Sequence, residues 1–344
     1  MAIKTHWRPG HWALLVGLAL AACGGRPTPV PPVEVTRIVE VTAQPRTLRV
    51  AYPSQADFGD VPSLMALALL AEQGYAVLPT NFAETVYAVD ALASGDMDIS
   101  FGSTNASWAA ASAGAPIVTV MEQVTNLWQI YAVNSIQECA DLDGKRFAIS
   151  GQSAVNTKMT NAYIAERCPD AELQIFLVQG SQNRAAALLT GEIDATPVEL
   201  ADAIQLAHDA PGEFHTLTNF GQDLPDLRTT GVYFNRDFAT AHPEAVRDYI
   251  RALLTIHRQV QANQELLSTE AARRLDLDPE TLADITEAYF DINAWDSNGG
   301  LTDANVQYTL SFFQNTGDLD ASLTLADVAD LSYLEAVLAE IGRE

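Results

Sequence analysis

Short strands and short helices alternate between residues 135 and 202, and this alternation restricts the chain to a small set of folds. Arg146–Ser150 is a β-branched and aromatic run that predicts a strand, and apolar residues at helical spacing follow it. A second strand is predicted over 173–178, then a helix that Ser181 can cap, and Pro197 is predicted to open a third helix. Such short connections are typical of parallel sheets, so we predict an α/β fold.

Two stretches carry a resemblance to a known family. LDGKRFAISG (142–151) and RAAALLTGEIDATPVELAD (184–202) resemble the second lobe of periplasmic-type solute-binding proteins of ABC importers, in the branch for nitrate, sulfonates, taurine and thiamine precursors. Similar sequence occurs at 93–99 and 114–118, so the likeness spans about 47–238. The resemblance implies a two-lobed, type II periplasmic-binding-protein fold with two crossover hinge strands and additional C-terminal helices. It also implies capture of a small solute between the lobes for delivery to an ABC permease in the membrane.

The first 46 residues differ in character from the rest. The apolar run 12–22 follows a basic start and is shorter than the roughly 20 residues of a membrane span, so we predict a lipoprotein signal peptide over 1–22. Leu20-Ala21-Ala22-Cys23 resembles a bacterial lipobox with Cys23 lipidated; an ordinary signal with an incidental cysteine is the alternative. Residues 23–46, rich in Pro, Val and Thr, are predicted to form a tether. The protein would then be exported and anchored to the outer face of the bacterial cytoplasmic membrane.

Composition excludes several function classes. The formal net charge is −25, and no basic patch is present that could bind a phosphate backbone, so nucleic acid is not an expected partner. The six histidines lack metal-ligand spacing, and the chain has neither a P-loop nor a Gly-x-Gly-x-x-Gly motif. We therefore expect no metal and no cofactor. A length of 344 residues favours two lobes, and we expect a monomer.

Two cysteines remain after Cys23 is assigned. Cys139 precedes the turn Asp143-Gly144, and Cys168 ends the predicted helix that returns across the same layer. Exported proteins can keep disulfides, so we predict a Cys139–Cys168 bridge that closes a loop of roughly 30 residues. Two buried free thiols are the alternative.

Two predicted strands are expected to carry the chain between the lobes. Leu127–Val133 leads into the alternating stretch and Thr229–Asn235 leads back out. Two crossing segments of this kind form a hinge. Lobe 1 is therefore expected to comprise 47–133 plus 234–344, and lobe 2 to comprise 134–233.

Ligands of open parallel sheets lie beyond the carboxyl ends of the strands, which selects the candidate ligand-binding residues. In lobe 1 they are Tyr52, Gln55, Asp57, Gly102, Ser103 and Thr104. In lobe 2 they are Gly151, Gln152, Ser153, Asn156 and Glu199. Backbone amides at the helix starts are expected to donate hydrogen bonds to the ligand, whereas helix capping and turn formation are the structural alternatives. The acids favour a neutral or amine-bearing solute, whereas Arg184 leaves an anionic solute as the alternative.

Two further functions fit parts of the sequence. The same lobes could report a bound ligand to a membrane kinase, as a sensing lipoprotein without a transport role. Gly151-Gln152-Ser153-Ala154-Val155 is similar to the Gly-x-Ser-x-Gly turn of serine hydrolases, with Ser153 as nucleophile. Val155 breaks that pattern, because the strained turn needs a small residue there, so we expect no enzyme.

Overall fold

The computed structural model describes residues 46–53, 56–275 and 277–344. The predicted signal peptide (1–22), the lipidation site Cys23, nearly all of the predicted tether (23–46) and the candidate residue Gln55 lie outside the described residues, so those four expectations stay predictions. Within the described ranges, every helix falls short of the length and apolar character needed to span a membrane.

Ten described strands form two five-stranded sheets. The strands are β1 Arg46–Tyr52, β2 Tyr75–Asn81, β3 Ile99–Ser103, β4 Ile117–Met121, β5 Trp128–Val133, β6 Arg146–Ile149, β7 Gln174–Leu177, β8 Ala195–Glu199, β9 Phe214–Asn219 and β10 Thr230–Asn235. The first sheet has the order β2-β1-β3-β10-β4 and the second has the order β7-β6-β8-β5-β9. Each sheet therefore has the same order, built once from each half of the chain.

Helices connect these strands and continue after the last one. They are α1 Val61–Glu72, α2 Thr85–Ala93, α3 Thr104–Ser112, α4 Val155–Arg167, α5 Ser181–Leu189, α6 Leu200–Asp209, α7 Phe220–Asp223, α8 Arg236–Ala241, α9 Pro243–Ala262, α10 Gln264–Arg274, α11 Pro279–Asp291, α12 Asp303–Asn315, α13 Leu325–Val328 and α14 Ser332–Ile341. The predicted alternation of parallel strands and helices is therefore present in both halves of the chain.

The strand that arrives from the other sheet is antiparallel in both cases. β10 runs antiparallel to β3 and β4, and β5 runs antiparallel to β8 and β9. The remaining pairings within each sheet, β1 with β2 and β3, and β6 with β7 and β8, are parallel. The carboxyl ends of the parallel strands consequently lie at one edge of each sheet, where the chain also crosses to the other sheet.

Strand pairing shifts the lobe boundaries that the sequence predicts. The expected lobe 1 extends to Val133, but β5 is hydrogen-bonded only to strands of the second sheet. β10 likewise lies in the first sheet from Thr230 onward, although the expected lobe 2 extends to residue 233. The crossings are therefore the short segments 122–127 and 220–229, which precede these strands. Pairing between residues that are far apart in the chain, such as Trp128 with Glu199 and Phe234 with Ile99, decides this assignment, and local sequence does not contain it.

Pro197 is the second departure from the predicted elements. It lies inside β8 and does not open a helix; α6 begins at Leu200. Proline cannot donate to a sheet ladder, so it is confined to positions where no acceptor is opposite. β6 pairs with β8 only at Phe147–Ala195, which leaves the following residues of β8 without a ladder on that side. The strand therefore tolerates proline there.

Equivalent ion pairs fix the beginning of the first strand in each half. Asp98 accepts hydrogen bonds from the backbone N–H of Arg49 at 2.8 Å and from its guanidinium. Asp194 does the same for Arg146, at 2.9 Å to the backbone N–H and 2.6 Å to Nη2. Each acid is the last residue of a Gly-x-x-Asp motif, and the two motifs begin at Gly95 and Gly191. The repeated motif therefore joins strands at the edge opposite to their carboxyl ends and serves the fold.

Helices of the C-terminal region cover the first sheet and also reach the second half of the chain. α9 is a 20-residue helix with a continuous buried face, including Tyr249, Leu253 and Val260, and it packs against α1 and α14. α11 instead packs against α6, which follows the last parallel strand of the second sheet. The ion pair His208–Asp284, at 2.8 Å, belongs to this contact.

Cys139 and Cys168 form a disulfide with Cα atoms 5.6 Å apart. The bridge ties the turn before β6 to the end of α4, and both cysteines are buried. It closes a loop of 29 residues, which in the chain-entropy picture contributes about 3 kcal/mol by restricting the unfolded chain.

We predict that replacing both cysteines, as Cys139→Ser with Cys168→Ser, lowers the free energy of unfolding by about 3 kcal/mol. Urea unfolding of the purified protein, with and without reductant, measures this. Reductant should destabilise the natural protein and leave the double variant unchanged, which is the matched control. Equal unfolding midpoints for the oxidised and reduced natural protein would contradict the prediction.

Candidate functional site

Loops at the carboxyl ends of the strands of both sheets face each other. The amide of Asn105, at the start of α3, donates a hydrogen bond to the backbone carbonyl of Ser153, in the turn after β6, at 2.5 Å. One residue belongs to the first half of the chain and the other to the second half. We call the junction between these two sets of loops the cleft. In sheets of this type the cleft is the place where a ligand binds.

Two predicted residues lie at the end of β1. Tyr52 is 4% exposed, stacks on Phe101 with ring centroids 5.1 Å apart, and its hydroxyl has no hydrogen-bond partner within the described ranges. Asp57 caps the one-turn helix 58–60, because its side chain accepts from the N–H of Gly59 at 2.8 Å. Asp60 in turn accepts from the N–H of Asp57 at 3.0 Å and from Gln123.

The three predicted residues at the start of α3 are engaged within the fold. Gly102 has φ +111°, and a Cβ there would lie 2.9 Å from Pro53, so glycine allows the loop after β1 to approach. The N–H of Thr104 donates to the carbonyl of Thr229 at 3.0 Å, and its hydroxyl accepts from Tyr233 at 2.9 Å.

Ser103 completes this group. Its hydroxyl donates to the side-chain oxygen of Asn105 at 2.8 Å and thereby orients the amide that crosses the cleft. Close packing against Pro53 engages Gly102, and hydrogen bonds with Thr229 and Tyr233 engage Thr104, while the start of α3 has no side-chain cap. The ligand contacts expected of these residues stay predictions.

On the opposite side, Gly151, Gln152 and Ser153 form the turn between β6 and α4. Gln152 and Ser153 are exposed, and Gly151 is half-buried. Asn156 is buried and donates to the hydroxyl of Ser150 at 3.1 Å, so it shapes the turn from below. Of these residues, Ser153 is the one with a described bond across the cleft, through its carbonyl oxygen.

Four half-buried carboxyl groups converge where the loop after β1 meets the end of β8. We call them the acidic cluster: Asp57, Asp60, Glu199 and Asp202. Glu199 is the last residue of β8, and its carboxyl lies within hydrogen-bonding reach of that of Asp57, on the other side of the cleft. Ser181 lies beside Glu199, because its hydroxyl accepts from the N–H of Glu199 at 3.0 Å.

Burial and mutual repulsion raise the pKa values of three members of the acidic cluster, Glu199, Asp60 and Asp202. Burial first, and then the charge and hydrogen bond of Asp57, hold the pKa of Glu199 well above its usual range. Burial and the charge of Asp57 raise the pKa of Asp60 to about 8. Burial raises the pKa of Asp202 to about 6. The folded protein therefore binds protons here at pH values where free carboxyls are ionised.

Arg184 lies against the second-sheet side of the acidic cluster. It is fully buried; its guanidinium donates to the carbonyl of Pro197 at 2.9 Å and to that of Val178 at 3.2 Å, and stands over the ring of Trp128 at 5.7 Å. Burial lowers its pKa to about 10, against the attraction of Glu199 and Asp202. Arg184 therefore offsets part of the negative charge, and it packs α5 against Trp128 of β5.

A buried tyrosine on α11 closes the remaining side. Tyr289 is fully buried, packs edge-on against Phe58 with centroids 4.8 Å apart, and lies 5.4 Å from the ring of Trp295. Its hydroxyl has no hydrogen-bond partner among the residues that the structure describes. Burial and then the charges of all four members of the acidic cluster raise its pKa, and its contact with Phe58 places its ring next to the loop that carries Asp57 and Asp60.

A cavity of about 220 Å³ lies at the crossing segments. Its wall includes Leu200, which directly follows Glu199, and Ile292, one turn after Tyr289. The rest of the wall is provided by the two crossings and is partly apolar, with amide groups: Thr125, Asn126, Leu127, Asn219, Gly221 and Gln222.

Sequence reasoning found half of the acidic cluster. Asp57 and Glu199 are both predicted site residues, whereas Asp60 and Asp202 are missed. Each missed acid lies three residues after a predicted one, so the spacing acid-x-x-acid occurs on both sides of the cleft. That repeated spacing was the available signal. Tyr289 offers none, because only the packing of α11 against α6 brings it to the cleft.

Comparison with known proteins gives the family and the fold. The sequence profile of the NMT1/THI5-like family matches residues 70–265, more than half of the chain. A search of curated protein sequences found no match. The alkanesulfonate-binding protein SsuA from Xanthomonas axonopodis pv. citri, solved bound to MOPS, is 20% identical with a TM-score of 0.64, over 84% of this chain and 99% of that one.

Two other solved structures are similar over most of their length. The periplasmic nitrate-binding protein NrtA from Synechocystis PCC 6803 is 13% identical with a TM-score of 0.67, over 87% of this chain and 90% of that one. The periplasmic aliphatic sulphonate-binding protein SsuA from Escherichia coli is 19% identical with a TM-score of 0.60, over 79% and 93%. These likenesses confirm the predicted periplasmic-binding-protein fold, and the profile match confirms the family resemblance: the chain belongs to the NMT1/THI5-like family.

Proposed function

We propose that this protein captures a small solute in the cleft and delivers it to an ABC permease in the membrane. The observation that carries the proposal is the meeting of two independently built sheets at their carboxyl ends, with two crossings between them. Family membership and the fold of the sulfonate- and nitrate-binding neighbours support it. No chemical step is proposed.

The proposed cycle is a movement between an open and a closed form. The lobes would be the two sheets with their helices, and the crossings 122–127 and 220–229 would act as the hinge. A solute closes the cleft only to the extent that it binds the closed form better than the open form. The described bonds across the cleft are few: Asn105 to Ser153, the ion pair Lys158–Asp318, and His208–Asp284.

Export and anchoring complete the proposal. The predicted signal peptide over 1–22, lipidation at Cys23 and the tether over 23–46 would hold a monomer at the outer face of the cytoplasmic membrane. A tether of this composition is extended and solvated, so it would let the folded part reach a permease in the same membrane.

We predict that at least one class of small solute raises the melting temperature of the purified protein. A solute at 100 times its Kd stabilises the folded state by about 2.7 kcal/mol, because it binds only that state. Thermal-shift measurements against sulfonates, nitrate, pyrimidines, flavins and amines test this, followed by small-angle scattering with the solute that binds. Closure should reduce the radius of gyration. Failure of every class, and of a whole-cell metabolite extract, would overturn the proposed function.

We predict that Asn105→Ala weakens solute binding roughly two- to tenfold, because a neutral hydrogen bond contributes about 0.5–1.5 kcal/mol and this one joins the two sides of the cleft. Calorimetric titration with the solute found above measures the change in Kd. Asn134→Ala is the matched control, since its amide donates to Gly212 within the second half of the chain. An equal loss in both variants would show that the Asn105 bond has no role in closure.

A further inference from the structure

We propose that the solute is an organic ammonium ion, a small molecule with at least one protonated amine, and that the acidic cluster holds the amine. This inference rests on the proposed function and names the chemical class that the cleft selects. Its first support is geometry: Asp57 and Asp60 come from the loop after β1, whereas Glu199 and Asp202 come from the end of β8, so the cluster spans the cleft.

Like charges on both sides oppose closure unless a positive charge lies between them. The carboxyls of Asp57 and Glu199 are within hydrogen-bonding reach of each other, and two carboxylates at that separation cannot both remain ionised. A proton shared there relieves the repulsion. An ammonium ion can take the place of that proton, because it donates three hydrogen bonds and carries its own charge.

Unpartnered hydroxyls supply the second, independent support. Tyr289 is fully buried and Tyr52 is 4% exposed, and neither hydroxyl has a hydrogen-bond partner in the described ranges. A buried polar group without a partner destabilises a protein, so such groups call for an explanation. A phenol oxygen accepts hydrogen bonds. Tyr289 packs against Phe58, which lies between Asp57 and Asp60 in the loop after β1, and its hydroxyl is subject to the charge of all four carboxyls.

Arg184 does not turn the cleft into an anion site. Two of its donors are bonded to backbone carbonyls, and its guanidinium lies over Trp128. Nη2 has no described partner, and the charges of Glu199 and Asp202 attract the guanidinium as a whole. One guanidinium against four carboxyls leaves the cleft acidic. The excess negative charge repels an anionic solute and attracts an ammonium ion.

Matched ligand pairs test the class directly by calorimetric titration of the full chain. The pairs are 2-aminoethanesulfonate with ethanesulfonate, and 1,4-diaminobutane with 1,4-butanediol. In at least one pair, the amine should bind at least tenfold more tightly than its partner. Equal or tighter binding of the amine-free members, binding of nitrate or calcium but no amine, or the absence of binding by every amine tested overturns the inference.

Charge-removing variants locate the amine. Glu199→Gln and Asp57→Asn should each weaken amine binding by about ten- to a hundredfold, because a hydrogen bond to a charged group is lost. Glu192→Gln, an exposed acid in the same half of the chain, is the matched control and should leave Kd unchanged. Retained amine affinity in both cluster variants contradicts the assignment. Circular dichroism checks that each variant is folded.

Proton exchange gives a readout on the unaltered protein. The groups that face Glu199 are Asp57, Asp60, Asp202, Arg184 and Tyr289. Because the pKa values of Glu199, Asp60 and Asp202 are raised, the free protein holds protons that a bound ammonium displaces. Amine affinity should therefore rise between about pH 5 and pH 8, with proton release, measured in buffers of different ionisation enthalpy.

The sign of that exchange separates the two proposals. An anionic solute favours protonated carboxyls, so it would bind with proton uptake and with an affinity that falls as pH rises. Such a result would overturn the ammonium inference and leave solute capture standing. Absence of binding by solutes of every charge, in the broader screen above, would overturn both.

Discussion

The feature on which the rest of this structure depends is the approach of Asp57 and Glu199 across the cleft. Each carboxyl is placed by its own sheet: Asp57 by the one-turn helix after β1, and Glu199 by the end of β8. Bringing them together raises the pKa of Glu199, so the approach of the two sheets is coupled to protonation of this carboxyl. Neither half of the chain contains this coupling alone. It exists only because the two sheets meet at the carboxyl ends of their parallel strands.

The scaffold that holds the two acids is built twice with the same parts. Arg49 with Asp98, and Arg146 with Asp194, join the beginning of one strand to the residue before the next. These pairs lie at the edge opposite to the cleft, so the loops at the carboxyl ends are free to differ. The loop after β1 forms the turn of Asp57, whereas in the second half of the chain Arg184 makes a buried contact with Trp128. The fold therefore separates residues that stabilise from residues that can bind.

Local sequence predicted the parts of this arrangement that depend on neighbours in the chain. The strand at Arg146 and the glycine at position 102 follow from turn chemistry and periodicity, and the structure has a strand at each. The cap predicted at Ser181 is wrong, because Gly180 precedes α5 and the hydroxyl of Ser181 instead accepts from the N–H of Glu199. The sheet membership of β5 and the position of Pro197 depend on which strands pair with each other. The local sequence pattern does not contain this pairing. Tyr289 is the extreme case, because more than 230 residues separate it from Asp57.

The few bonds across the cleft explain why a charged solute could control closure. Asn105 to Ser153 is one neutral hydrogen bond, His208–Asp284 is a partly exposed contact, and Lys158–Asp318 is a more buried ion pair. Repulsion within the acidic cluster opposes these contacts and grows as the carboxyls ionise. In the proposed cycle, such opposing contributions would let a ligand of modest differential affinity move the equilibrium between the open and closed forms. Stronger contacts across the cleft would favour the closed form without a solute, and weaker repulsion within the acidic cluster would remove the selectivity of the cleft for positive charge.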